Sequence, residues 1–399
     1  MSDKKVSLWF LFLVFVKIGC IAFGGFTALI AVVENEMIRK RGLLSTKDML
    51  NGVSLAMLLP GPVAVNTVGY AGFRLRGGWG AFLSVTGVIL PSFFLLIGLS
   101  HIYFTYGAIP VVSKLFAGFI PAVTAIIITT AWNMGKKAIT NWSGFFLGLS
   151  AAVILLGVGG FYTTLMIIVG AGLAGLILYT GQKPDTAIVS QDRFLVVSGI
   201  SKFRFYLGLG ILAVFLILFF IPVSGLENNS LARIFVTFSG MSLMLFGGGF
   251  VFIPLIQEIV VDGLHWVSLP EFTSAIAMGQ VTPGPILISA AFIGYKIKGL
   301  IGAALATFAI FFPSALLMIT ASQVLDRIKG SGTMQAALTG IRAALVGMVF
   351  AAAVVIGRGC EYHWATPVIF FAALAALMRF KVDIAYIIPC AGLIGVLLY

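Results

Sequence analysis

An all-α polytopic membrane protein is the fold class this sequence predicts, and three observations carry it. The 399 residues are 60% hydrophobic and only 10% charged, with a mean hydropathy of +1.12; a soluble domain would carry about 25% charged residues. Apolar runs of about 20 residues, each long enough to cross the hydrocarbon layer, recur from end to end. Inside two of those runs stands Pro-Gly-Pro, at Pro60-Gly61-Pro62 and again at Pro283-Gly284-Pro285. Two prolines remove two backbone donors around an unrestricted glycine, so a straight helix cannot pass through either site. In hydrocarbon the freed carbonyls need partners, which confines such breaks to protein interior or to a polar cavity. Paired interruptions in two halves of a chain point to the central site of a carrier.

In order along the chain, the first span runs from about Leu8 to Val33 and contains Gly24-Gly25. Its apolar run lacks a small-residue cleavage site, so it reads as a retained span rather than a removed signal peptide. A charged connection follows, with Glu34, Glu36, Arg39, Lys40 and Arg41. Ser45 then reads as an N-cap with Asp48 as its capping-box partner, opening a segment that Pro-Gly-Pro breaks after Leu59. The segment resumes to about Phe73 and ends at Arg74 and Arg76. Apolar runs follow near 79–100, 111–134, 143–157 and 161–179, then a polar linker over 181–204 and one extra apolar run over about 205–221.

The pattern then restarts. An offset of 223 superposes Phe23-Gly24-Gly25 on Phe246-Gly247-Gly248, Ser45 on Ser268, and Pro60-Gly61-Pro62 on Pro283-Gly284-Pro285. Beyond the break an offset of 222 superposes Gly72-Phe73-Arg74-Leu75-Arg76-Gly77 on Gly294-Tyr295-Lys296-Ile297-Lys298-Gly299, and Pro91-Ser92 on Pro313-Ser314. Motifs in the same order and spacing define an internal duplication. The expected organisation is an N-terminal repeat over 1–190, a linker with a connecting transmembrane helix over 191–230, and a C-terminal repeat over 231–399. Each repeat supplies about six segments, and one linking helix between two even repeats gives them an inverted topology. Loop charge agrees: the loop after the first span carries Arg39, Lys40, Arg41 and Lys47, whereas its counterpart near 257–271 has no Lys or Arg. Whether the Pro-Gly-Pro segments span or re-enter stays open at this level, and the N-in orientation rests on an excess of basic residues in the loops it makes cytoplasmic.

Other function classes lack their residues. The formal charge of +12 is scattered through short loops, as membrane orientation requires, and does not form a nucleic-acid surface. Cys20, Cys360 and Cys390 stand apart in apolar surroundings with no metal or redox spacing and read as small core residues. His101, His265 and His363 are single residues near segment ends. No clustered acid, base, nucleophile or metal set is present, so no enzyme, metal or cofactor is expected. A nucleotide-binding glycine-rich lysine motif is absent as well.

The combined residues resemble the chromate transporter family in its long, two-domain form. Phe23-Gly24-Gly25, the run Leu58-Leu59-Pro60-Gly61-Pro62-Val63-Ala64-Val65-Asn66-Thr67, Gly72-Phe73-Arg74 and Leu90-Pro91-Ser92 carry the likeness in the first half. Phe246-Gly247-Gly248-Gly249, Gln280-Val281-Thr282-Pro283-Gly284-Pro285 and Gly294-Tyr295-Lys296 carry it in the second. The resemblance implies an inner-membrane carrier that exports chromate, driven by the proton motive force, with sulfate as competitor. Its partners would be the oxyanion, protons and the lipid bilayer, with a homodimer compatible and no nucleic acid. A transporter or channel for sulfate or another anion on the same fold is the alternative.

An oxyanion in a membrane needs hydrogen-bond donors and positive potential. The helix N-termini after the breaks at Pro60, Gly61, Pro62 and at Pro283, Gly284, Pro285 offer both. Asn66 and Thr67 follow the first break within a turn, and Gln280 and Thr282 flank the second. Arg74 and Lys296 are the candidates for a basic vestibule that concentrates anions, against plain interfacial snorkelling. Gly24, Gly25, Gly247 and Gly248 stand for substrate contact or for close helix packing. Lys17, a charge inside the first span, and Arg342 are weaker candidates. No Asp or Glu stands in the middle of an apolar segment, so proton coupling has no residue assigned; Glu34, Glu36 and Glu258 are nearest.

Overall fold

The computed structural model describes residues 6–23, 25–107, 109–159, 161–180, 210, 227–245, 252–322, 332–360 and 363–399. The linker over 181–204, the connecting run over 205–221 apart from Gly210, and Gly24, Gly247 and Gly248 lie outside them. Every regular element among the described residues is helical, as hydrocarbon demands of a chain that must pair its own backbone. Four helices are long and apolar enough to cross a membrane: Val63–Tyr106, Pro110–Ala138, Ile286–Ala321 and Gly332–Arg358. Large apolar side chains stand on the surface, Ile177 and Leu397 at 82% and Trp142 at 76% exposure, where only lipid would cover them at low cost.

The first apolar run is not one helix. It forms α1 (Leu8–Ile21) and α2 (Gly25–Glu34), interrupted at Ala22 and Phe23, and continues as a π-helical turn over Asn35–Lys40. α3 (Thr46–Leu58) begins on the expected capping box: Asp48 N–H donates to the Ser45 side chain while Asp48 receives the Ser45 N–H. α4 (Val63–Tyr106) starts after the first break. α5 (Pro110–Ala138), α6 (Trp142–Gly157) and α7 (Phe161–Tyr179) complete the first half. In the second half come α8 (Leu231–Met244), α9 (Phe252–Gln257), a second π turn over Glu258–Gly263, and α10 (Leu269–Val281) on its own capping box of Ser268 and Glu271. A 3-10 turn over Ile286–Ile288 leads into α11 (Ser289–Ala321), followed by α12 (Gly332–Arg358), α13 (Ala365–Met378) and α14 (Ile384–Leu398).

The duplication is repeated in backbone detail. The two π turns and the two capped helices differ by the sequence offset of 223. α4 carries non-helical backbone at Arg76 and Gly77 (φ −144° and +62°), and α11 carries it at Lys298 and Gly299 (φ −142° and +58°), the same pair displaced by 222. Each kink is a reversal rather than a bend. A Cβ on Gly72 would strike the Gly80 carbonyl, and one on Gly294 the Gly302 carbonyl; in a straight helix those residues would be about 12 Å apart. The Arg74 to Gly77 stretch therefore ends one helical arm and starts another.

Two compact units emerge, and neither coincides with a sequence repeat. The first comprises Met1–Leu95, Lys183–Gly249 and Pro283–Ser331; the second comprises Leu96–Gln182, Phe250–Thr282 and Gly332–Tyr399. In the first unit α8 packs along α11. In the second, α12 packs on α5, α6 and α7, while α5 also packs on α13 and α14. Glycine permits these crossings: a side chain at Gly340 would meet the Ala171 carbonyl, and one at Gly347 the Gly148 carbonyl. Cys20 and Cys390 are exposed and Cys360 half-buried, so the expectation of three core cysteines fails; in lipid an exposed small apolar side chain costs little.

Candidate substrate site

The first break is the tip of a helical hairpin. α3 is 13 residues long, about 20 Å, too short to cross a core of about 30 Å alone. The first arm of α4, from Val63 to the reversal, is of similar length. The two arms lie side by side. A Cβ at Gly52 would meet the Tyr70 ring at 2.7 Å, and Arg74 Nη2 donates to Asp48 Oδ1 at 2.9 Å. Had the arms continued in line, Asp48 and Arg74 would be about 40 Å apart. Near the tip, Leu55, Ala56, Leu59, Val63 and Tyr70 share an apolar cluster with Met318 and Ala321 of α11. The chain thus doubles back, with Pro-Gly-Pro at the tip of the hairpin and an ion pair joining its arms at the other end.

Gly61 at this tip has φ +115°, and its counterpart Gly284 has φ +120°, a region that residues with a Cβ seldom occupy. Their amides are spent on a reciprocal exchange. Gly61 N–H donates to the Leu245 carbonyl at 2.5 Å, and Gly284 N–H donates to the Ala22 carbonyl at 2.8 Å. Leu245 is Ala22 displaced by 223, so each repeat's tip is held by the same residue of the other repeat. The packing is reciprocal too: a Cβ on Gly61 would strike Ser314, and one on Gly284 would lie 3.1 Å from Ser92 Oγ. Ser92 and Ser314 are the pair that follow the helix prolines Pro91 and Pro313.

The other candidates divide by position. Asn66 is fully buried; its Nδ2 donates to the Pro60 carbonyl at 3.3 Å, and its Oδ1 has no partner. Thr67 is buried and spends its hydroxyl on the Val63 carbonyl at 2.7 Å. Pro60 and Pro62 set the tip, as Pro283 and Pro285 set the second. Gln280 is 8% exposed with an unpartnered Nε2, and Thr282 Oγ1 donates to the Gly279 carbonyl at 3.2 Å; both belong to the second compact unit. Gly25 opens α2.

Arg74 is about 11 residues along its arm from the tip, roughly 17 Å away, and its guanidinium is committed to Asp48. That places Arg74 at the open end of the hairpin, away from Gly61. Lys296 is exposed on the corresponding arm of α11. Sequence reasoning missed a second charged feature. Glu36, 1% exposed, accepts from Lys40 at 2.8 Å, Lys17 at 3.3 Å and Arg41 at 3.4 Å. Lys17 is therefore a counter-ion within a cluster, not an isolated charge. The Lys40 hydrogen bond, against the cost of burial and with help from Lys17, holds the Glu36 carboxyl down at about 2. It stays ionised at neutral pH. Position 223 further on is Ile259, so the cluster has no mirror.

Duplicated broken helices that exchange backbone bonds, inside a chain built of membrane-length apolar helices, define a polytopic transporter. The sequence model of the chromate transporter family matches residues 9–176 and 232–396, and the chain belongs to that family. It is 26% identical to a chromate transport protein of Cupriavidus metallidurans over 96% of this chain and 92% of that one. A chromate transport protein of Pseudomonas aeruginosa is 25% identical, over 98% and 92% of the two chains. An uncharacterized transporter of Methanocaldococcus jannaschii is 27% identical over 93% and 89%. No solved structure matches the chain.

Proposed function

We propose that this protein is a secondary carrier that exports chromate across the inner membrane, driven by the proton motive force, with sulfate as competitor. Family membership and the names of the Cupriavidus and Pseudomonas relatives support the substrate. The reciprocal bonds from Gly61 to Leu245 and from Gly284 to Ala22 carry the mechanism. Two tips held by matching residues of opposite repeats form a pseudo-twofold pair, the relation that inverted repeats use to alternate access around a fixed site. The oxyanion binds at the tips, where helix N-termini supply donors and positive potential without a buried cation. Pro60, Gly61, Pro62 and Asn66 form the first tip, and Thr67 shapes its first turn; Pro283, Gly284 and Pro285 form the second, which Gln280 and Thr282 precede in sequence. Lys296 draws anions to the entrance, and Arg74 with Asp48 keeps the first hairpin closed. The exposed apolar surface is covered by lipid and is compatible with a second copy.

The test uses the purified full chain in liposomes with an imposed pH gradient. Labelled chromate should accumulate above its equilibrium level, and sulfate should reduce the initial rate. Downhill flux that the gradient cannot drive uphill would make the protein a channel. Uphill movement of sulfate alone would keep the carrier and replace its substrate.

A further inference from the structure

The two tips match in backbone but not in side chains, and within the first compact unit the polar groups gather at one of them. Around Gly61 stand Asn66, Ser314 and Ser242. The Asn66 Nδ2 would be 2.8 Å from a Cβ on Gly61, so the carboxamide folds over the tip. Ser314 packs on Gly61 from the other side, and its backbone N–H donates to Ser242 Oγ at 3.3 Å. Ser242 thereby keeps its own hydroxyl proton for another acceptor. Ser239, three residues earlier on the same helix face, is 1% exposed with an unpartnered Oγ. Asn66 is 0% exposed, uses one of its two Nδ2 hydrogens on Pro60, and leaves Oδ1 unpaired. An unpaired hydroxyl such as that of Ser239 is costly in an apolar interior unless a ligand or water completes it, whereas the Asn66 Oδ1 is an acceptor that a water, not an anion, would satisfy.

At Gly284 the counterpart of Ser314 is the equally polar Ser92, but the counterparts of Ser242 and Ser239 carry no hydroxyl. The offset of 223 places Gly19 where Ser242 stands and Val16 where Ser239 stands. The counterpart of Asn66 is Ile288 or Ser289, depending on where the one-residue change of offset falls, and neither carries a carboxamide. The helix starts differ as well. α4 begins directly at Val63, leaving the Val63, Ala64 and Val65 amides without an earlier helical carbonyl. At the second tip a 3-10 turn satisfies Ile288 N–H with the Pro285 carbonyl at 3.0 Å and gives Ser289 N–H the Ile286 carbonyl. Within this unit, more donors remain unspent at the first tip.

We infer that the first tip is the oxyanion-binding tip of this unit, with Asn66, Ser242 and Ser239 as specificity-determining donors, and that the second tip is its mechanical mirror. This rests on the proposed anion-carrier reading and assigns its site. The anion sits over the first turn of α4, taking the Val63 to Val65 amides, an Asn66 Nδ2 hydrogen and the Ser242 hydroxyl. Tight contact of Gly284 with Ser92 holds the second tip without a ligand contact.

Equilibrium binding of labelled chromate to the detergent-purified full chain tests this independently of transport. Asn66→Leu and Ser242→Ala should each weaken binding at least tenfold, and Asn66→Gln should recover part of it. Ser92→Ala, at the mirror position, should bind within twofold of the unaltered protein. Gel filtration and a melting curve of each variant separate lost binding from lost folding; a misfolded Asn66→Leu hands the decision to Ser242→Ala and Ser239→Ala. Equal weakening by Ser92→Ala and Ser242→Ala, normal binding in the first-tip variants, or no binding by the unaltered chain would each overturn the inference. Binding with no uphill flux in liposomes would sink the carrier reading while leaving the site in place.

Discussion

Arg74 shows how a residue can be located in sequence while its partner stays hidden. Its spacing from Pro-Gly-Pro and its match to Lys296 marked it as a basic residue near a break. What spacing cannot show is that the chain doubles back, so that Asp48, 26 residues earlier, meets it at 2.9 Å. Both partners are about one-fifth exposed, and such a pair contributes about 1 kcal/mol or less. Arg74→Gln should therefore lower the melting temperature slightly and leave the apparent chromate affinity unchanged, with Asp48→Asn producing no further loss in the double variant. A several-fold rise in KM on Arg74→Gln would instead return Arg74 to the substrate path. Glu36 was legible only as an acid at a segment end. Lys40 is its i,i+4 partner and Arg41 follows directly, but no local pattern announces that Lys17, 19 residues earlier, joins them. Glu36→Gln removes charge-assisted bonds worth about 1–3 kcal/mol, and the loss should appear in a melting curve at pH 7. Because the folded carboxyl is held at about 2, below its unfolded value, its stabilisation is full above the unfolded pKa and fades as pH falls through about 2. The gap between the two proteins' melting temperatures should close in strong acid.

At the scale of elements, the breaks and the Ser45 capping box were readable, while the kinks at Gly77 and Gly299 showed in sequence only as a repeated motif. Proline and glycine act through the local backbone, and Ser45 with Asp48 acts across three residues, so the signal and the structure share one neighbourhood. The hairpin was not readable, because its evidence is the packing of Gly52 on Tyr70 and the pairing of Asp48 with Arg74. Ser92 and Ser314 were visible as repeat markers without a task; their task, filling the space beside Gly284 and Gly61, exists only once the tips are folded. Gly61 is the most exposed point of this arrangement to substitution. Alanine there meets an unfavourable positive φ costing on the order of 1–3 kcal/mol and drives its Cβ into Ser314 and Asn66. Gly61→Ala should cut chromate flux at least tenfold while Gly77→Ala, whose Cβ would meet nothing within 4 Å, should cost backbone strain and much less flux.

For the whole molecule, the duplication was legible because its motifs keep order and spacing, whereas the assembly was not. Each compact unit takes segments from both repeats, so a boundary drawn through the polar linker describes ancestry rather than packing. The exchange between Gly61 and Leu245 and between Gly284 and Ala22 uses backbone atoms alone, which leave no residue preference to read. Inversion makes a direct prediction: single cysteines at Ser45 and Ser268, introduced after replacing Cys20, Cys360 and Cys390, should react with an impermeant maleimide from opposite sides of the membrane. Labelling of both from one side would make the repeats parallel and remove alternating access between inverted halves.

The central claim is most directly tested in everted membrane vesicles, comparing the unaltered chain with a Pro60→Ala, Gly61→Ala double variant expressed to the same level. The account predicts chromate accumulation that requires the proton gradient, is reduced by sulfate, and is lost in the double variant. Gradient-driven accumulation that persists undiminished when the first tip is rebuilt would contradict it.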